Sequence, residues 1–232
     1  MTTPTTVAHS FARDLVLLSG GMDSSTLLAE AAQTGTARLA VSIDYGQRHV
    51  REIAAAVVVA VHYGVELVAL DLTGWGSRLT GSALTDPNVE VPHGHYADES
   101  MRATVVPNRN ATLLSAAAGV AQARGCDRVL TAVHAGDHPI YPDCRPEFIA
   151  AIARATELAT DGAVTIAAPF THQTKTDIAR LAGKLGVPIA LTWSCYEGGD
   201  AHCGQCGTCI ERREALRDAG VPDPTAYAVV PA

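Results

Sequence analysis

The segment Leu18-Ser19-Gly20-Gly21-Met22-Asp23-Ser24-Ser25 follows an apolar run and opens a helical one. Paired glycines let the chain turn tightly and bring several backbone N–H groups onto one anion, at a helix N-terminus whose dipole favours negative charge. The segment therefore predicts a phosphate-binding loop. It lacks the Gly-Lys-Ser/Thr ending of the common nucleoside-triphosphate loop, which argues against transfer of a γ-phosphoryl group. A plain glycine turn with Asp23 or Ser24 as helix cap is the simpler alternative, but a bare cap needs neither Ser-Gly-Gly before it nor Ser-Ser after it.

A second cluster lies near the C-terminus. Cys195, Cys203, Cys206 and Cys209 are separated by seven, two and two residues. Two Cys-x-x-Cys steps place thiolates on a tight turn and a helix start, and one distant cysteine completes a tetrahedron. With four thiolates no position is left for water, so the spacing predicts a structural zinc ion rather than a catalytic one. An iron–sulfur cluster and a pair of disulfides are the rival readings. Cys126 and Cys144 fall outside the cluster and read as small buried residues.

These residues must be held by something. Short apolar runs at 15–18, 39–43, 67–70, 129–133 and 164–167 predict buried strands, and Ala-rich stretches at 24–32, 49–63, 110–124, 148–159 and 176–185 predict helices. Strand and helix alternate, so the economical architecture is α/β: a doubly wound, Rossmann-like parallel sheet with helices on both faces, its ligands at the carboxyl ends of the strands. We expect a flexible N-terminus at 1–13, a nucleotide-binding domain at 14–191 and a zinc module with a C-terminal tail at 192–232. The stretch 73–107 carries Gly74, Gly76, Gly81, Pro87, Pro92 and Gly94 and shows neither period; it reads as a cover for the active site, a subunit contact or a disordered insertion.

The chain has 232 residues, 47% of them hydrophobic, and a formal net charge of −7. That is enough for one large domain with a small appendage. The acidic balance argues against nucleic acid as a partner, because stable binding there requires neutralising many phosphates. No apolar run approaches the roughly 18 residues of a membrane span. No secretory signal is visible, and a cytoplasmic location is predicted.

Five segments together carry a specific resemblance: Ser-Gly-Gly-Met-Asp-Ser at 19–24, Asp-Tyr-Gly-Gln-Arg-His at 44–49, Val-Pro-Asn-Arg-Asn at 106–110, Tyr-Pro-Asp-Cys-Arg at 141–145, and the cysteines introduced by Trp193-Ser194-Cys195-Tyr196. The first resembles the pyrophosphate loop of enzymes that cleave ATP between the α and β phosphates. The combination, from Asp14 to Arg213, resembles the 7-cyano-7-deazaguanine synthases of the queuosine precursor pathway. Met22 and Asn108 occupy positions that family varies, and the segment Ala135–Ile140 departs from its usual pattern and puts details of the purine pocket in question.

The resemblance implies an adenine nucleotide alpha hydrolase-like fold, ATP with Mg2+, a structural Zn2+ and a homodimer. It implies a ligase that joins 7-carboxy-7-deazaguanine and ammonia by activating first the carboxylate and then the amide. The family's reaction is often written with ADP and phosphate, whereas the loop type points to AMP and pyrophosphate; both remain open. Within it, Leu18 to Ser25 would hold the phosphates, and Lys175, Arg109 and Asp23 would act on them. Asp143 suits the N–H edge of a guanine-like ring and Arg145 its carboxylate, with Tyr141, Gln47, Arg48 and His49 near the substrate. Bland alternatives stand beside each: a surface Asp143–Arg145 pair, a capping His49 and a solvated Lys175. Two further readings compete for the whole chain, a tRNA-modifying adenylating enzyme with the same loop and a non-enzymatic nucleotide-binding module.

Overall fold

The computed structural model describes residues 12–95 and 98–229. The stretch expected to be a flexible N-terminus therefore lies, up to residue 11, outside the described residues. Five strands, β1 (Asp14–Leu17), β2 (Ala37–Asp44), β3 (Leu67–Asp71), β4 (Arg128–Leu130) and β5 (Thr165–Ala167), form one parallel sheet in the order β3-β2-β1-β4-β5. The main helices are α1 (Met22–Gln33), α2 (Arg51–His62), α5 (Arg109–Ala123), α6 (Pro146–Ala159), α7 (Lys175–Leu185) and α8 (Gly207–Ala219), with single turns α3 (Thr73–Gly76) and α4 (Asp98–Met101) between them. The order reverses direction at β1, with β2 on one side and β4 on the other. This opens a crevice above β1.

Side chains alternate along the central strands, as the pleat requires. Leu15, Leu39, Val41 and Ile43 face a core shared with Leu114, Ala117 and Ala121 of α5 and Ile149 of α6. Val16, Leu18 and Ala40 face the other way, onto Leu27 and Leu28 of α1, Val59 of α2 and Ile178 of α7. Both faces are covered, which is why these strands read as continuous apolar runs rather than alternating ones. Asp14, buried at the start of β1, receives both Nε and a terminal nitrogen of Arg128 at 2.7 and 2.9 Å and so ties β1 to β4.

Several boundaries shift from the sequence reading for local reasons. Helix α1 begins at Met22 because Gly21, in extended conformation, is its N-cap. Strand β4 ends at Leu130, and Thr131 to Val133 turn instead to line the crevice. The stretch 73–107 is largely built into the fold. Ala83, Leu84, Met101 and Val106 are buried, and Arg48 donates to the carbonyls of Asp86 and Val89 at 3.2 and 2.8 Å. None of its described residues lines the crevice. The stretch props the crevice wall from behind: Thr104 Oγ1 lies 2.7 Å from the hydroxyl of Tyr141, which does line it.

The segment from residue 192 onward packs against the sheet's own helices. Ala215 and Leu216 of α8 share a core with Ala179 and Ala182 of α7 and with Met22 and Ala29 of α1. Arg212, fully buried, donates to Thr192 Oγ1, Ser194 Oγ, Ile189 O and Thr225 Oγ1 at 2.8 to 3.1 Å. A guanidinium can be buried there because several fixed acceptors replace its lost water. Among the described residues, no helix is long and apolar enough to cross a membrane.

A candidate nucleotide and substrate cavity

The crevice deepens into a cavity lined from one end by the loop after β1 and from the other by residues that follow β2 and residues in the first turns of α5. At the first end, Leu18, Ser19, Gly21, Met22, Asp23 and Ser24 line it. Gly20 and Ser25 do not: Ser25 is buried behind the loop, and Gly20 turns against α2. Gly20 has φ +85°, and a Cβ there would collide with the Glu52 carbonyl and the Ala56 amide, so the position needs glycine twice over. Ser24 Oγ accepts from the Ser19 amide at 3.2 Å and lies 3.0 Å from Ser19 Oγ, which holds the loop closed over the start of α1.

Charged side chains converge on this loop. Lys175 Nζ reaches Asp23 Oδ2 at 2.6 Å and Glu211 Oε2 at 3.6 Å, and His134 Nε2 lies 3.8 Å from Asp23. Burial works against the charge of Asp23, but Lys175 and then His134 outweigh it and hold its carboxyl below the usual range. Burial likewise opposes the charge on Lys175, and Asp23 and Glu211 more than offset it, keeping the ammonium firmly protonated. Asp23 Oδ1 has no hydrogen-bond partner. Lys175 opens α7, where Thr174 and Asp177 form a reciprocal capping box that fixes the helix start.

The other end is closed and aromatic. Tyr45, His49, Glu52, Arg109, Tyr141 and Tyr196 line it. The Arg109 guanidinium lies 5.9 Å from the Tyr141 ring centroid, and its surroundings hold it protonated although burial opposes its charge. Burial pushes Tyr45 up to about 12. Burial, aided by Arg109, pushes His49 down to about 3. Burial also pushes Glu52 up to about 8, only partly opposed by the hydrogen bond from Gln47 and by Arg109. Both His49 and Glu52 are thus uncharged at neutral pH.

Not every expected substrate residue reaches the cavity. Asp143 Oδ2 accepts from the Asn110 amide at 2.9 Å and caps the start of α5. Arg145 Nε donates to the His138 carbonyl at 3.0 Å. Gln47 and Arg48 sit behind the wall, Gln47 bonded to Glu52 and Arg48 to the 73–107 stretch. Conversely Glu52, His134, Asp137, Tyr196 and Glu211 line the cavity without having been singled out for it. Glu52 had a usable signal, since it stands three residues after His49 at a helix start and so shares its face. Tyr196 stood in the segment that introduces the cysteines, where its neighbours drew the reading to the metal, and the others come from loop or helix positions with no motif of their own.

The four cysteines come together, as their spacing predicts: one ligand atom from each lies within 4.8 Å of the others. Backbone amides of Cys203, Gln205 and Cys206 point at cluster sulfurs at 3.2 to 3.4 Å, an environment that favours thiolates. The cluster could hold a metal ion. Next to it, the Trp193 amide donates to the Gly20 carbonyl at 2.9 Å, and Gly94 donates to Gln205 O at 2.9 Å. The cysteine module thus touches both the phosphate loop and the 73–107 stretch.

The family described as "Queuosine biosynthesis protein QueC" matches residues 13–220. The chain belongs to the QueC family. Among QueC relatives, the 7-cyano-7-deazaguanine synthase of Paracoccus denitrificans (strain Pd 1222) is 53% identical over 218 residues, covering 93% of each chain. That of Rhizobium meliloti (strain 1021) is 52% identical over 217 residues, covering 93% of this chain and 92% of the relative. A solved structure of NMN synthetase from Francisella tularensis overlays with a TM-score of 0.49 and 18% identity, covering 90% of this chain and 83% of that one. That likeness is too distant to bear on chemistry. QueC membership accounts for the five segments that guided the sequence reading, and all five border the cavity or the cysteine cluster.

Proposed function

We propose that this chain is an ATP-dependent carbon–nitrogen ligase that converts 7-carboxy-7-deazaguanine and ammonia into 7-cyano-7-deazaguanine, the precursor step of queuosine synthesis. The observation that carries this reading is a single cavity joining a phosphate loop and its lysine to a closed aromatic end, in a member of a family whose near relatives bear that enzyme's name. A carboxylate is a poor electrophile. Transfer of a nucleotide group to it gives a leaving group, ammonia then yields the amide, and a second activation of the amide oxygen allows dehydration to the nitrile. The loop lacks the γ-phosphoryl-transfer lysine motif, which favours release of AMP and pyrophosphate.

In this reading the amides at the start of α1, from Gly21 to Ser24, bind the phosphates, and Lys175 offsets the charge of the leaving pyrophosphate. Asp23, with one oxygen unpartnered, is the residue to hold Mg2+, which when bound neutralises phosphate oxygens. Arg109 suits the substrate's carboxylate, and Tyr45, Tyr141 and Tyr196 suit the flat purine face. These are preferred to Asp143 and Arg145, which do not line the cavity. Tetrahedral Zn–S bonds of about 2.3 Å put sulfurs about 3.8 Å apart, and the 3.9 Å between Cys203 and Cys209 fits that ion. Zinc there would be structural. The proposal also includes a cytoplasmic location, a homodimer and no role for nucleic acid.

The test is mass spectrometry of a reaction containing the protein, 7-carboxy-7-deazaguanine, ammonium, ATP and Mg2+, following purine and nucleotide together. Nitrile with AMP is the expected result. An unchanged acid and unconsumed ATP, in protein that retains its metal, would sink the assignment.

A further inference from the structure

Four carboxyl groups line the cavity among the described residues. Asp23, Asp137 and Glu211 crowd the phosphate end, each within 3.8 Å of Lys175 or His134. Glu52 stands apart at the closed end. Its Oε1 is taken by Gln47 Nε2 at 2.9 Å, and Gln47 is itself fixed by the Ile43 carbonyl at 3.3 Å and by the Tyr45 amide, which donates to its Oε1 at 2.8 Å. Glu52 Oε2 lies 3.4 Å from His49 Nε2, beyond the usual range of a good hydrogen bond. One oxygen is therefore anchored and the other is left for a single proton. Reading the two-N–H edge of a guanine ring would need both.

The proposed reaction requires such a group twice. When the nitrogen of ammonia bonds to the activated carboxyl carbon, the C–O bond to the nucleotide breaks, the leaving group takes the electron pair, and a proton must leave nitrogen. When the amide oxygen has been activated, its C–O bond breaks as the nitrile forms, and the remaining N–H protons must leave the same nitrogen. We propose, resting on the function given above, that Glu52 is the catalytic base for the nitrogen-bound protons in both halves, one in amide formation and two in dehydration, handing each to the departing phosphate group before the next, with Gln47 as its positioning residue.

The groups that face Glu52 are Asp44 and Tyr45 at the end of β2, His49 from its own turn and Arg109 from α5. Arg109 favours the carboxylate and Asp44 opposes it. His49 and Tyr45 are held neutral through the range in which Glu52 titrates, so in the amide-to-nitrile half, which uses no free ammonia, the rate should climb with pH to a plateau above about 8.

The experiment compares the unaltered enzyme with Glu52→Gln, which keeps the shape and a partner for Gln47, in three assays. These are nitrile from the acid, nitrile from the amide, and hydroxamate from the acid with hydroxylamine, a strong nucleophile that traps an activated carboxyl without help. Both nitrile rates should fall by roughly 10²- to 10⁴-fold, while hydroxamate formation stays near that of the unaltered enzyme. Glu52→Asp, tested the same way, should recover part of the loss with a displaced pH profile, and it carries the comparison if the glutamine variant fails to fold. Nitrile formation that survives in Glu52→Gln overturns the proposal. So does an equal loss of all three activities in a variant that melts normally, since Glu52 would then serve binding. An unaltered enzyme that makes neither nitrile nor hydroxamate would instead refute the function beneath it.

Discussion

At the phosphate end of the cavity Asp23 and Lys175 hold each other ionised at 2.6 Å, whereas at the closed end burial without such a pairing leaves Glu52 and His49 uncharged at neutral pH. Both ends are shielded from water, and what differs is whether a counter-ion arrives from another element. Lys175 comes from α7 and Glu211 from α8. Among the described residues no lysine or arginine forms an ion pair with Glu52, and Arg109 only partly opposes its burial. Fixed charge suits a site that must meet phosphates in one state. A buried carboxyl that titrates near neutrality suits a site that must gain and lose protons.

The largest effect should come from breaking the support of the phosphate end. The Trp193–Gly20 bond and the placement of Glu211 on α8, two residues beyond Cys209, make that end depend on the cysteine module. Stripping the zinc proposed for the cysteine cluster with a chelator, against a free energy of about 10–16 kcal/mol for structural zinc, should abolish ATP binding in a calorimetric titration. Retained ATP affinity would uncouple the two. Lys175→Met should lower kcat by about 10²- to 10³-fold in steady-state assays, and a smaller change would mean that the loop amides bear the charge alone.

The closed end predicts opposing pH slopes of stability. Glu52 titrates higher in the folded chain than its ordinary value of 4.5, so the native state binds the extra proton, and stability falls as pH rises from about 4.5 to about 8. His49 is displaced the other way, from 6.5 to about 3, so stability falls as pH drops through that window. Thermal melts of Glu52→Gln and His49→Gln should each flatten one limb. The smallest effect is expected for Tyr141→Phe, which loses the contact with Thr104 and costs about 1 kcal/mol by denaturant titration.

The phosphate loop and the cysteine cluster were legible in the sequence because each is local: its residues are neighbours along the chain and their spacing is their geometry. The parallel sheet was legible because both faces of β1 and β2 are buried and leave unbroken apolar runs. The wall of the cavity was not. His134 and Asp137 come from an irregular segment after β4, and Glu211 from a helix read only as a metal clamp. Asp143 looked like a ligand because of its motif, yet its acceptor is needed for the open amide at the start of α5. Whether a polar side chain faces a ligand or a helix end is decided by tertiary direction, which spacing does not carry.

The most direct test of the two-ended cavity is a crystal structure with 7-carboxy-7-deazaguanine and a non-hydrolysable ATP analogue bound together. The account predicts the phosphates on the amides of Gly21 to Ser24 beside Lys175, and the substrate's carboxyl carbon between them and the free oxygen of Glu52. A purine bound instead at Asp143 and Arg145, with Glu52 remote from the carboxyl, would contradict it.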